Sequence, residues 1–163
     1  MDSDQKLLQT AYINVQLGTI KLTAEENAVT GLYFCELHQP ETIPPLLANA
    51  AQQIKSYFAG QLKVFHIPLK LYGTPFQRSV WQLLMDIPYG TTTTYGQLSD
   101  KLGLKNGARA VGLANGANPV SIIVPCHRII GGNGKLTGYA GGLWRKEWLL
   151  KHECSEIKEG LFL

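Results

Sequence analysis

Alternating apolar and polar positions dominate the first third of the chain, and helical spacing dominates the rest. Residues 12–17, 19–24 and 29–34 read as short strands, with breaks at Gly18 and at Glu25-Glu26-Asn27. They predict a small antiparallel meander ending near Cys35, read as a small structural hydrophobe. Pro44-Pro45 opens a helix on which Leu47, Ala51, Ile54 and Phe58 recur at three- and four-residue spacing, and Gly60 stops it. Residues 64–67 offer one more strand, and Lys70-Leu71-Tyr72-Gly73 reads as a domain junction.

Thr74 caps the next helix, with Pro75 at its first position and Gln77 completing a capping box. Phe76, Val80, Leu83 and Leu84 form the expected packing face, and residues 86–90 end it. Thr94 and Gln97 repeat the capping pattern before a short helix over 95–102. A turn at 103–107 leads to a second short helix from Ala108 to about Asn115, the outline of a helix-turn-helix. A last helix over 143–152 carries Trp144, Trp148, Leu149 and Leu150, and the tail beyond Cys154 is expected to lie along the surface or fray. The fold class is therefore α+β. A small α/β domain occupies 1–70, and a mainly helical domain with the helix-turn-helix occupies 74–163.

Between those last helices lies the stretch with most chemical character, Pro119-Val120-Ser121-Ile122-Ile123-Val124-Pro125-Cys126-His127-Arg128. Its β-branched run reads as a buried extended segment, and prolines at both ends restrict the backbone, so it predicts a rigid arm ending on Cys126. Thiolate is the reactive form of cysteine, and neighbouring cations favour it. Consecutive side chains of an extended chain diverge, so Cys126 and His127 meet only through a turn or a bridging water.

Composition narrows the class. There is no apolar run of membrane-spanning length and no secretory pattern at the amino terminus. Three cysteines without framework spacing fit a reducing, cytoplasmic setting. The net charge of +3 is unevenly spread: residues 78–151 hold nine Lys and Arg against three acids, while residues 1–77 hold five against six. One region is thus suited to face a polyanion. The second short helix carries small residues, Ala108, Ala110, Gly112 and Ala114, and one long cation, Arg109. Close backbone approach with a single arginine suits the minor groove, with Arg109 filling the space of a displaced base.

Pro125-Cys126-His127-Arg128-Ile129 followed by Gly138-Tyr139-Ala140-Gly141-Gly142 resembles the active-site signature of the O6-alkylguanine-DNA alkyltransferases, also called methylated-DNA–protein-cysteine methyltransferases. The resemblance extends through Tyr95-Gly96-Gln97-Leu98, Ala108-Arg109-Ala110-Val111-Gly112, Asn118-Pro119-Val120 and Lys146-Glu147-Trp148-Leu149-Leu150. It implies irreversible, single-turnover transfer of an alkyl group from O6-alkylguanine in flipped-out DNA to Cys126. His127 is then the base acting through a water, Glu153 orients it, Asn118 joins the network, and Tyr95 donates to the base ring. Around the extruded guanine the resemblance places Tyr139, the Ala140 backbone and the carbonyls of Cys126 and Ile129. Arg109, Arg128, Ala108 and Gly112 are counted with the substrate- and DNA-facing residues. The implied partner is double-stranded DNA carrying the lesion, with no cofactor, membrane or obligate protein partner.

Two departures from the family pattern stand out: Thr94 where serine is common, and Gly116-Ala117 before Asn118. Three rival readings use the same residues. Cys126, His127, His152 and Cys154 could supply zinc ligands, but each pair is adjacent or nearly so, which is awkward on one tetrahedral ion. A damage sensor or regulator needs the basic region without a reactive cysteine. A cysteine hydrolase turns over repeatedly.

Overall fold

Strand β1 (Leu8–Val15) turns through Gln16-Leu17 into β2 (Gly18–Glu25), which turns through Glu26-Asn27 into β3 (Ala28–Phe34). The computed structural model describes residues 7–154. They divide between Tyr72 and Gly73 into two compact units. The three strands form one antiparallel sheet in sequential order, β1–β2 running from Leu8↔Glu25 to Val15↔Gly18. A two-residue connection demands special backbone at its exit, and Gly18 supplies it with φ 117°. Ala11 and Ile13 alternate onto the buried face with Ile20, Leu22 and Leu32.

Pro45–Leu47 form one 3₁₀ turn that leads into α1 (Ala48–Phe58). Ala51, Ile54 and Phe58 lie buried on it at the expected spacing. Gly60, with φ 76°, follows the end of the helix. Residues 64–67 are not the strand the apolar pattern suggested. The backbone of His66 is instead held by the Gln53 side chain, through His66 N to Oε1 at 2.8 Å and Nε2 to His66 O at 3.1 Å. Pairing with β3 comes later, at the single bridge Val29↔Leu69.

The second unit begins with α2 (Pro75–Met85), and both halves of its Thr74–Gln77 capping box are formed. Its buried face is Val80, Trp81 and Leu84 rather than the expected Phe76, Val80, Leu83 and Leu84. Phe76 is exposed, and Trp81 is buried with its Nε1 donating to Ala114 O at 2.8 Å. That bond locks α2 to α4 (Ala108–Gly116), the second helix of the helix-turn-helix. The first, α3 (Tyr95–Lys101), starts at the Thr94–Gln97 capping box directly after β4 (Thr93–Thr94). β4 runs parallel to β5 (Ile129–Ile130), and α5 (Leu143–Glu153) closes the unit. The expectation for the tail beyond Cys154 lies outside the described residues.

Residues 120–124 are buried as expected but not extended. Val124 N donates to Val120 O at 3.0 Å, so the segment is a folded turn. Ile122 sits at φ 72°, in the left-handed region, where a β-branched residue is strained by about 1–3 kcal/mol. Asn118 supplies what a neighbouring strand would have: its Nδ2 donates to Val124 O at 2.8 Å and its Oδ1 accepts from Val120 N at 3.0 Å.

Candidate active site

The turn ends on Cys126, which begins a 3₁₀ turn over Cys126–Arg128. The turn sends successive side chains to different partners, Cys126 to a cavity and both His127 and Arg128 to Glu153. Cys126 lines a cavity of about 240 Å³ together with Tyr95, Gly112, Asn118, Ser121, Tyr139 and Ala140. Drug-sized ligand pockets run from about 300 to 1,000 Å³, so this one suits a small planar group the size of one base.

Behind the cysteine lies a buried ionic cluster. His127 Nε2 and Glu153 Oε2 are 2.7 Å apart, with side-chain exposures of 0% and 1%. Arg128 grips the same carboxylate with two donors, Nε to Oε1 at 2.8 Å and Nη2 to Oε2 at 3.0 Å, while Nη1 donates to Ile87 O at 2.6 Å. Burial alone would push the Glu153 carboxyl up, but His127 and Arg128 outweigh it and hold the carboxyl well below its usual range. An ionised carboxylate only accepts, so His127 Nε2 carries the hydrogen. The remaining ring nitrogen, Nδ1, is buried with no hydrogen-bond partner among the described residues, as are Tyr139 Oη and Asn115 Oδ1.

The titration of the site follows. Burial, reinforced by the Arg128 and Lys146 charges, lowers the His127 pKa despite the pull of Glu153, so the ring rests neutral and can accept a proton. Burial raises the Cys126 thiol, offset in part by Asn118, the Lys146 charge and Ser121. The thiol therefore rests protonated, and such a nucleophile is released only when a proton acceptor is engaged. Tyr95 Oη accepts from Thr137 Oγ1 at 2.9 Å, which leaves its own hydrogen for another acceptor.

Two domain descriptions of the same family match the chain: "6-O-methylguanine DNA methyltransferase, ribonuclease-like domain" over residues 8–71 and "6-O-methylguanine DNA methyltransferase, DNA binding domain" over residues 75–155. The methylated-DNA–protein-cysteine methyltransferase of Mycobacterium tuberculosis is 45% identical over 157 residues, covering 93% of this chain and 95% of the relative. The chain belongs to the 6-O-methylguanine DNA methyltransferase family. A methyltransferase of the same name from Methanosarcina acetivorans is 47% identical over 152 residues, 89% of this chain and 97% of that one. The crystal structure of the M. tuberculosis O6-methylguanine methyltransferase superposes with a TM-score of 0.84 at 42% identity, covering 95% of this chain and 98% of that one. The structure of the M. tuberculosis OGT in complex with DNA gives 0.82 at 46% identity, covering 88% and 91%.

As a methyltransferase of this family the chain places its anticipated residues unevenly. Cys126, Asn118, Tyr95, Gly112, Tyr139 and Ala140 meet at the cavity, with His127 and Glu153 paired behind Cys126. Ala108 and Arg109 are exposed on α4, away from the cavity lining. Ile129 is fully buried in β5 and is likewise outside that lining, while the Cys126 carbonyl accepts from Asn115 Nδ2 at 3.4 Å. Arg128 requires a correction: it is 7% exposed and turned inward onto Glu153, not outward to DNA. The four residues weighed as zinc ligands form no metal-holding cluster, and no such group of His, Cys, Asp or Glu occurs among the described residues. No helix among the described residues is long and apolar enough to cross a membrane.

Lys146 was missed as a site residue. Its side chain is fully buried, and Nζ donates to Thr137 O at 2.6 Å and Gly138 O at 3.4 Å, the carbonyls leading into Tyr139. Burial pulls its pKa down to about 8 even though the Cys126 charge opposes this. The signal was present: the buried stripe of α5 is Lys146, Leu149, Leu150 and Glu153, at helical spacing. Two charges on an apolar stripe mark a site. Trp144, on the same helix, is 57% exposed. Leu113, one turn beyond Arg109, was also passed over and is 73% exposed on α4.

Proposed function

We propose that this protein repairs O6-alkylguanine in duplex DNA by moving the alkyl group irreversibly to Cys126, one group per molecule. The observation that carries the reading is the placement of the Cys126 thiol at a ring-sized cavity with the neutral His127 and ionised Glu153 behind it. In the reaction the Sγ proton passes through a water to His127 Nδ1, and the imidazolium that forms is stabilised by Glu153. Sγ bonds to the alkyl carbon as the carbon–O6 bond breaks. The electron pair returns to the guanine ring, where the Tyr95 hydroxyl supplies a proton that the one held on His127 then replaces through solvent, leaving guanine and a neutral site.

A base within a duplex is out of reach of a buried thiol, so the nucleotide must leave the stack at a cost of about a few kcal/mol. The exposed face of α4 is suited to the minor groove, with Arg109 in the vacated space and Leu113 as an apolar contact beside it. Tyr139 Oη and Asn115 Oδ1, buried without protein partners, can satisfy the edge of the incoming base. Ile129 contributes at most its backbone. Three free cysteines fit a reducing cytoplasm. Titration of an O6-methylguanine duplex with limiting protein tests the reading: repair should plateau at one guanine restored per protein molecule. Continued turnover points to a hydrolase, and binding without repair to a sensor.

A further inference from the structure

We propose that Arg128 is a positioning residue for the proton relay, fixing the Glu153 carboxylate in plane with two donors so that His127 presents a neutral, correctly turned Nδ1 to the thiol. The inference rests on the transfer reading above. A single carboxylate serves two cations here. Oε2 is shared between His127 Nε2 at 2.7 Å and Arg128 Nη2 at 3.0 Å, and Oε1 takes Arg128 Nε at 2.8 Å. The fork is planar and pre-organised, and it fixes the carboxylate plane in a way a single-point cation cannot. Arg128 is itself anchored: Nη1 bonds Ile87 O at 2.6 Å, and the guanidinium lies 5.8 Å from the Tyr89 ring centroid.

The electrostatic consequence has one sign. A guanidinium is always charged, so it repels a proton on His127 and competes with His127 for the carboxylate. The charged and titratable groups around His127 are Glu153 and Lys146 from α5, Arg128 and Cys126 from its own turn, and, farther out, Tyr89 beside Arg128 and Tyr139 beside Cys126. Only Glu153 favours the imidazolium. Replacing Arg128 by a neutral residue removes one opposing charge and leaves His127 without a competing cation on Oε2, while Gly90 N stays 3.5 Å from Oε1. Both effects make the ring hold its proton to higher pH.

The test is the titration of His127 by NMR in the unmodified protein, alongside the pH profile of methyl transfer. In Arg128→Gln the His127 titration and the acid limb of the profile should both move up by about one pH unit, the usual scale of a nearby charge. In Arg128→Lys, which keeps the charge and loses the fork, the titration should stay in place while transfer slows by about tenfold. An unmoved His127 in a folded Arg128→Gln overturns the inference, as does full-rate transfer by Arg128→Lys. If Arg128→Gln does not fold, Arg128→Lys alone decides by its rate. Because the His127 titration needs no substrate, a protein that never transfers methyl would sink the functional reading while leaving this measurement decisive.

Discussion

His127 and Glu153 stand 26 positions apart in sequence and meet through a 2.7 Å hydrogen bond that is sealed from solvent. One partner belongs to the cysteine turn and the other to the last turn of α5, so the relay exists only in the folded unit. His127→Ala should keep the thiol and the cavity yet lose about 100- to 10,000-fold in transfer rate, the usual worth of a positioned base. Single-turnover kinetics on a lesion duplex measure it, and a variant within threefold of the parent contradicts the assignment.

Glu153→Gln has a larger structural effect, because it leaves the buried Arg128 guanidinium uncompensated. Removing one partner of a buried ion pair costs about 3–5 kcal/mol. Urea unfolding should register a loss of that size, well above what a surface acid such as Glu147, paired with Lys151 across one helical turn, would give.

Acid should weaken the fold in two stages. The His127 pKa is lowered from 6.5 in the native state, so the unfolded chain takes up that proton first and stability falls as pH drops below about 6.5. Glu153 is held below its ordinary 4.5, so its contribution is complete above that value and is lost as pH falls further, through its native pKa. Unfolding midpoints between pH 8 and pH 2 check this. In His127→Gln the first stage should vanish while the second persists; a parent protein with the same midpoint at pH 8 and pH 5 speaks against a buried neutral His127.

Asn118 holds both ends of the turn that carries Ile122 at φ 72°, through Val120 N and Val124 O. Asn118→Ala leaves two buried backbone groups unpaired, and relief of the Ile122 strain offsets only part of that loss, so it should cost about 2–4 kcal/mol of stability. It should also broaden the NMR signals of residues 120–126. A loss below about 0.5 kcal/mol would mean that the turn stands without it.

Lys146→Ala removes the ammonium that ties the Thr137 and Gly138 carbonyls to α5. Hydrogen bonds to charged groups are worth about 1.5–3 kcal/mol, so with Tyr139 less firmly held the transfer rate should drop by about tenfold to a hundredfold. Lys146→Arg cannot fit the same fully buried space and should not restore it. Single-turnover kinetics on the lesion duplex separate the outcomes, and a Lys146→Ala rate equal to the parent would remove Lys146 from the site.

What was legible in the sequence was local. The two capping boxes, Thr74–Gln77 and Thr94–Gln97, form as read, because a threonine and a glutamine three positions apart satisfy each other whatever the rest of the chain does. The meander was legible for the same reason. Residues 120–124 were legible as buried but not as folded: an apolar run reports its environment, whereas its backbone path was decided by the Asn118 side chain standing in for a strand. Arg128 was grouped with the substrate- and DNA-facing residues. Its inward turn depends on Glu153, 25 positions later, and no local pattern reports such a pairing. Lys146 and Glu153 could have been found together from the periodicity of α5.

The most direct measurement is peptide mass analysis after mixing the protein with duplex DNA containing one O6-methylguanine. A single added methyl is expected on the peptide carrying Cys126, none on those carrying Cys35 or Cys154, with guanine restored in the DNA in equal amount. A methyl on another residue, or restored guanine with an unmodified Cys126, would contradict it.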